Sequence, residues 1–372
     1  MENNLVNRKY EVHISSLKGI ACVGVMLGHF LGIVKYATDF PIDFKLLEIL
    51  EKLRLNFLVN ESFWLYLFFV ISGYLCSKTK ISSFYKLATK SLLRFFRLAI
   101  PIFLGNIIIF VIAKAIGFHN MDTTLFFDNI WLQNSYNIEL SFNMLITSPI
   151  DTLFLKQCYF NSPYWVLREM LLGSIIVYTF TYLKTKIPNK VIVSIIYMFL
   201  LSLSFIFSRI VFSTLIGIGL VLYSDLIEKI VNKPLAILIL IGSIGLVVIC
   251  PHWSTSLLMF GTWIVFLPKI KYLYRIFDFK FLDFIGRISF GIYALHWPIF
   301  CSVGMIIFLS LIDSVGIGKS TVIAIISSIA ITLISAIIYY FTLEKNSNII
   351  VKSISKFIDK NYETISAQIK KQ

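Results

Sequence analysis

Ten apolar stretches recur along this chain, near residues 13–35, 62–77, 98–117, 163–183, 190–207, 209–224, 234–250, 253–268, 287–312 and 320–343. Stretches of about 20 residues are long enough to cross a bilayer at a helical rise of about 1.5 Å per residue. No other feature constrains the fold as tightly. Lipid offers no partner to a free N–H or C=O, so each span must close its own backbone hydrogen bonds as a helix. The expectation is an all-α, polytopic membrane helix bundle of about ten transmembrane helices. Composition agrees, since 58% of the residues are hydrophobic, against about 45–50% in soluble domains. The first stretch holds a histidine and is followed by more spans, so it is read as a retained helix rather than a cleaved signal.

The formal charge of +14 would suggest nucleic-acid binding in a soluble chain. In a membrane protein it reads as cytoplasmic loops rich in Lys and Arg, with no nucleic-acid partner. Residues 78–97 carry Lys78, Lys80, Lys86, Lys90, Arg94 and Arg97 without an acid, and the segments around 184–190 and 269–287 are also basic. The 118–162 segment instead holds Asp122, Asp128, Glu139 and Asp151 against Lys156. This asymmetry predicts both termini in the cytoplasm and the 118–162 loop outside. The expected organisation is a membrane domain over 1–343 and a cytoplasmic tail over 344–372. Many Ile, Lys, Asn and Phe residues point to an AT-rich bacterial genome and a place in the bacterial cytoplasmic membrane. The five cysteines show no metal-ligand spacing, so no metal is expected.

Ionisable groups inside spans are costly and mark interior cavities or pathways. Here they are Lys18, His29, Lys114, Arg168, Glu169 and His296, with Arg209 near a span end. Lys18 and His29 are eleven residues apart, which returns to nearly the same helix face about 16 Å further along. They either line one pathway, or Lys18 snorkels to phosphate while His29 bonds a neighbouring helix. Glu169 is expected about 9 Å below the outer surface, at a depth matching His29, where it would orient the imidazole. The competing reading is that the adjacent Arg168 and Glu169, pointing about 100° apart on the helix, each pair with other groups. Arg94 and Arg97 share a helix face, suited either to gripping phosphate or to ordinary anchoring. Ser72 and Gly73 read as a close-packing site. Trp165, Arg168, Tyr293, His296 and Ser72 are candidate cavity-lining residues.

Five stretches in order resemble the acyltransferase-3 family of integral membrane acyltransferases. They are Lys18 with His29 at the family's Arg-to-His spacing, FFVISGYL at 68–75, RFFRLAIP at 94–101, YWVLREMLLGS at 164–174 and ISFGIYALHWPIF at 288–300. Lys18 stands where the family shows arginine, and Ser15 and Ser16 stand where it often shows an acid and glycine. The resemblance covers residues 14 to about 343. It implies transfer of an acyl group, most often acetyl from acetyl-CoA as co-substrate, to a hydroxyl of a surface or lipid-linked glycan. On that expectation His29 is general base or acyl carrier, Glu169 its orienting acid, and Arg94, Arg97 and Lys18 hold the donor phosphates. Trp131, Asn134 and Tyr136 are candidates to meet the sugar. The rival readings are a glycan flippase, or the same enzyme class using a succinyl or longer donor.

Overall fold

The computed structural model describes residues 2–35 and 45–369. Every regular element among them is helical. The chain opens with α1 (Glu2–Lys35), short α2 (Lys45–Lys52), α3 (Glu61–Ser77) and α4 (Phe84–Ala115). The segment expected as an outer loop carries α5 (Ile130–Asn134), α6 (Phe142–Ile150) and a π-helical turn at Asp151–Leu155. Next come α7 (Trp165–Lys186), α8 (Lys190–Phe207), α9 (Arg209–Leu222), α10 (Ser224–Ile230), α11 (Lys233–Ile249) and α12 (Trp253–Phe266). The basic 269–287 segment is two short helices, α13 (Lys271–Phe277) and α14 (Lys280–Arg287). The chain closes with α15 (Ser289–Ile299), α16 (Met305–Val315), α17 (Ile317–Tyr339) and α18 (Lys345–Ile369).

All ten apolar stretches are therefore helical. Among the described residues, six helical segments are long and apolar enough by themselves to cross a membrane, or seven if α9 and α10, bent by 64°, form one broken span. The apolar helices α3 and α11 fall just short of that length. Local chemistry sets the helix starts. Asn60, Ser83, Asn189, Ser208 and Asn232 each accept a first-turn N–H in their side chains. The turn at Pro251, His252 and Trp253 is tight because His252 and Thr255 cap α12 reciprocally. Lys114, read as intramembrane, sits in the last turn of α4 and pairs with Glu139 at 2.7 Å. That hydrogen bond holds the Glu139 carboxyl below its ordinary range.

Two close crossings organise the bundle. At the first, a Cβ on Gly73 would lie 1.9 Å from the carbonyl oxygen of Thr214, and one on Gly217 would lie 2.4 Å from that of Val70. Only hydrogen fits at either position, so α3 and α9 touch backbone to backbone. At the second, a Cβ on Gly286 would fall 1.8 Å from the Ser15 carbonyl, bringing α14 onto α1. Ser16 donates to the Phe277 carbonyl at 2.6 Å and Ser15 to that of Asp283 at 3.2 Å. The two serines that depart from the family pattern thus tie α1 to the 269–287 segment.

Prolines tie in the 118–162 segment. Pro298 lacks an N–H for the carbonyl of Ala294, and Asn161 donates to that carbonyl at 2.9 Å instead. The indole of the adjacent Trp297, fully buried, donates to Ser135 at 3.0 Å. Asn120 donates to the carbonyls of Leu132 and Ser135 at 2.8 and 2.7 Å. The segment is thus a folded cap over α15. The 344–369 segment is likewise ordered: α18 continues α17 through a π-helical turn at Tyr340–Glu344 and lies along α4.

Candidate active site

His29, in the last two turns of α1, meets His296 of α15. His29 Nδ1 lies 2.8 Å from His296 Nε2. The other nitrogen of His296 lies 2.9 Å from the carbonyl oxygen of Tyr293 and 3.1 Å from that of Ile292. Carbonyls only accept, so His296 Nδ1 carries a proton and, in the neutral ring, Nε2 is an acceptor. His29 Nδ1 must then be the donor, which leaves a lone pair on His29 Nε2. This nitrogen makes no hydrogen bond among the described residues. Two carbonyls on α15 thus set the tautomers of two histidines in series. Trp131 packs over His29, with ring centroids 4.7 Å apart, and stacks on Trp297 at 3.7 Å.

His29 lines a cavity of about 300 Å³, together with Glu61, Asn129, Trp131 and Trp165. A second cavity, of about 500 Å³, lies toward the start of α1 and holds Lys18, Arg94, Arg97, Arg287 and Glu344. Both are lined by Val25, Leu65, Val166 and Tyr293. These four form a wall shared by an imidazole chamber and a cationic chamber. The Tyr293 hydroxyl is fixed there by donating to the carbonyl of Pro163.

The cations of the second chamber differ in their engagement. Arg94 is held by hydroxyls, its Nε donating to Ser174 at 3.0 Å and its Nη2 to Ser72 at 3.1 Å. These neutral acceptors leave its charge uncompensated. Arg287 pairs with Asp283. Lys18 and Arg97 make no hydrogen bond or ion pair among the described residues. One Glu344 carboxylate oxygen is buried without a partner in the same chamber. An anion that brings its own charge would meet three cations free to receive it.

The sequence-derived candidates distribute as follows. His29, Trp165 and Tyr293 line the imidazole chamber, while Lys18, Arg94, Arg97 and again Tyr293 line the cationic one. His296 stands fully buried behind His29, and Ser72 grips Arg94. Glu169 lines neither cavity. Its carboxylate takes Arg168 Nη1 at 2.9 Å, so the adjacent arginine is its partner, and His29 donates instead to His296 on α15. Of the loop aromatics, Trp131 reaches His29, whereas Tyr136 stacks on Phe118 at 3.6 Å. Glu61, Asn129, Arg287 and Glu344 line the chambers without having stood out in sequence. Glu61, Asn129 and Arg287 sit at helix ends, where polar residues are common and carry no signal, and Glu344 sits in the π-helical turn between α17 and α18.

No curated protein and no solved structure matches this chain. The family model described as an acyltransferase domain matches residues 12–340, nearly the whole length. This membrane helix bundle, with an imidazole chamber beside a cationic one, therefore belongs to the acyltransferase-3 family, and the protein is a membrane acyltransferase of that family.

Proposed function

We propose that the protein is an O-acyltransferase moving an acyl group, most plausibly acetyl, from acyl-CoA in the cationic chamber to a hydroxyl of a surface or lipid-linked glycan in the imidazole chamber. One observation carries this reading: the two chambers adjoin across Val25, Leu65, Val166 and Tyr293, and a thioester arm passing between these side chains would meet His29. The rise from Lys18 to His29, about 16 Å, suits an extended pantetheine arm with its phosphates among Lys18, Arg94 and Arg97. By the distribution of Lys and Arg, the cationic chamber and both termini face the cytoplasm, with all ten apolar helices embedded in the bundle.

In this mechanism His29 Nε2 takes the proton of the acceptor hydroxyl as its oxygen attacks the thioester carbonyl. The C–S bond breaks, the acyl C–O bond forms, and the imidazolium returns the proton to the CoA thiolate. His296 is a positioning residue that fixes the reactive tautomer through Nδ1. Trp131 and Trp165 supply apolar faces for a sugar ring. The test is purified protein in lipid nanodiscs with labelled acetyl-CoA and glycan acceptor, followed by glycan NMR. Label appearing as an O-ester supports the reading, and CoA release that ignores the acceptor overturns it.

Two further outcomes follow. His296→Leu removes the acceptor for His29 Nδ1–H and frees the ring to adopt the unproductive tautomer. Its kcat is expected to fall about a hundredfold, with KM nearly unchanged. His296→Gln, whose amide oxygen can still accept, is expected to recover part of the loss and shift the pH–rate profile. Similarly, the Ser72→Ala/Ser174→Ala pair releases the Arg94 guanidinium. The KM for donor is expected to rise about tenfold, as loss of charged hydrogen bonds predicts, with kcat preserved.

A further inference from the structure

The cationic chamber does not stop at the helix ends. Arg97 and Asn348 also line an adjoining pocket of about 440 Å³ between α4 and α18. Four cations face this pocket: Lys90 and Arg97, two turns apart on α4, and Lys352 and Lys356, one turn apart on α18. No carboxylate is among the residues that line it. None of the four cations forms an ion pair among the described residues. Asp359, one turn beyond Lys356, is engaged elsewhere, accepting from Tyr85 at 3.1 Å and from Ser355 at 3.5 Å. The pocket is a built feature of the packing, since Val351 is buried and Tyr85 stacks on Tyr362 at 3.6 Å. Like charges one turn apart destabilise a helix unless a counter-charge joins them.

We propose that this α4–α18 pocket is a subsite for a phosphate monoester: the 3′-phosphate at the nucleotide end of the donor. The inference rests on the acyl-CoA reading above and deepens it. The CoA diphosphate would lie among Lys18, Arg94 and Arg97, and the ribose would continue past Arg97 and Asn348. Its 3′-phosphate would then meet Lys90, Lys352 and Lys356. A doubly charged monoester offers three acceptor oxygens, and lysine ammonium groups suit it as point charges. The family match ends at residue 340, so the α18 half of this subsite is a property of this chain beyond the matched domain.

The experiment compares CoA with dephospho-CoA, which lacks only the 3′-phosphate, by calorimetric titration of full-length protein in neutral-lipid nanodiscs. Wild type is expected to bind CoA at least about tenfold more tightly, equivalent to about 1.4 kcal/mol. The Lys352→Gln/Lys356→Gln variant is expected to lose that preference while binding dephospho-CoA as wild type does. Equal affinity of wild type for the two ligands overturns the subsite alone. No binding of either ligand overturns the donor reading with it. A preference that survives in the variant, or that vanishes in phosphatidylglycerol nanodiscs because lipid phosphate fills the pocket, also overturns it. The two-ligand comparison on wild type needs no variant to fold.

Discussion

His29→Ala is expected to lower acyl transfer about a thousandfold, the middle of the range for a positioned general base, while the protein still inserts and binds donor. The reasoning is geometric. His29 Nε2 is the lone pair left over when the α15 carbonyls fix His296 and His296 in turn fixes His29. No other histidine lines the same chamber. The donor phosphates are assigned to the far chamber, so CoA binding should change less than about twofold, well under the 1.4 kcal/mol that a tenfold change represents. Single-turnover transfer and CoA binding, measured on one preparation, separate the two. Transfer within tenfold of wild type would remove His29 from the chemistry. A parallel collapse of CoA binding would show instead that the variant disturbs the fold.

Gly73→Ala is expected to be strongly destabilising, costing about 3 kcal/mol or more as overpacking against an unyielding neighbour. A methyl at this position would sit 1.9 Å from the Thr214 carbonyl oxygen. The obstacle is backbone, which cannot rotate away as a side chain could. Relief requires α3 and α9 to separate, and Ser72, the adjacent residue, would move with α3 and release Arg94. Stability and donor binding should therefore fall together. Gly242→Ala is the matched control: its Cβ meets nothing within 4 Å, and helix propensity favours alanine by about 1 kcal/mol. Thermal unfolding in detergent, followed by size exclusion, should lower the midpoint for Gly73→Ala and leave it unchanged or raised for Gly242→Ala. A Gly73→Ala protein with the wild-type midpoint would sink the close-crossing argument.

The ten apolar helices were legible because a bilayer dictates helix irrespective of local propensity. Their reach was less so, since α3 and α11 are shorter than a full span and packing sets helix tilt. Ser72 and Gly73 were legible as a close-packing pair. That the serine also holds Arg94 required knowing which helices face each other. The 118–162 segment read as a loop because its helices are too short for periodicity to register. Its folded cap depends on Asn161 finding the carbonyl freed by Pro298, a contact between residues 133 positions apart.

The expected pairing of His29 with Glu169 shows the limit most clearly. Matching depth along two helices fixes one coordinate, whereas contact also requires both side chains to point into the same space. The rotation of α7 turns Glu169 to its neighbour Arg168, and α15 brings His296 to His29 across 267 residues.

By itself the amino-acid sequence determined that this chain is a helical membrane protein, that its family motifs are those of a membrane acyltransferase, and that Lys18 and His29 share one helix face. Those conclusions follow from hydrophobicity, residue order and helical period, all one-dimensional properties. Only the tertiary structure decided that His296 orients His29, that two chambers share Val25, Leu65, Val166 and Tyr293, and that α18 adds its lysines to α4. These depend on the rotation and crossing of helices distant in sequence, which the close approach of glycine-bearing backbones sets in three dimensions.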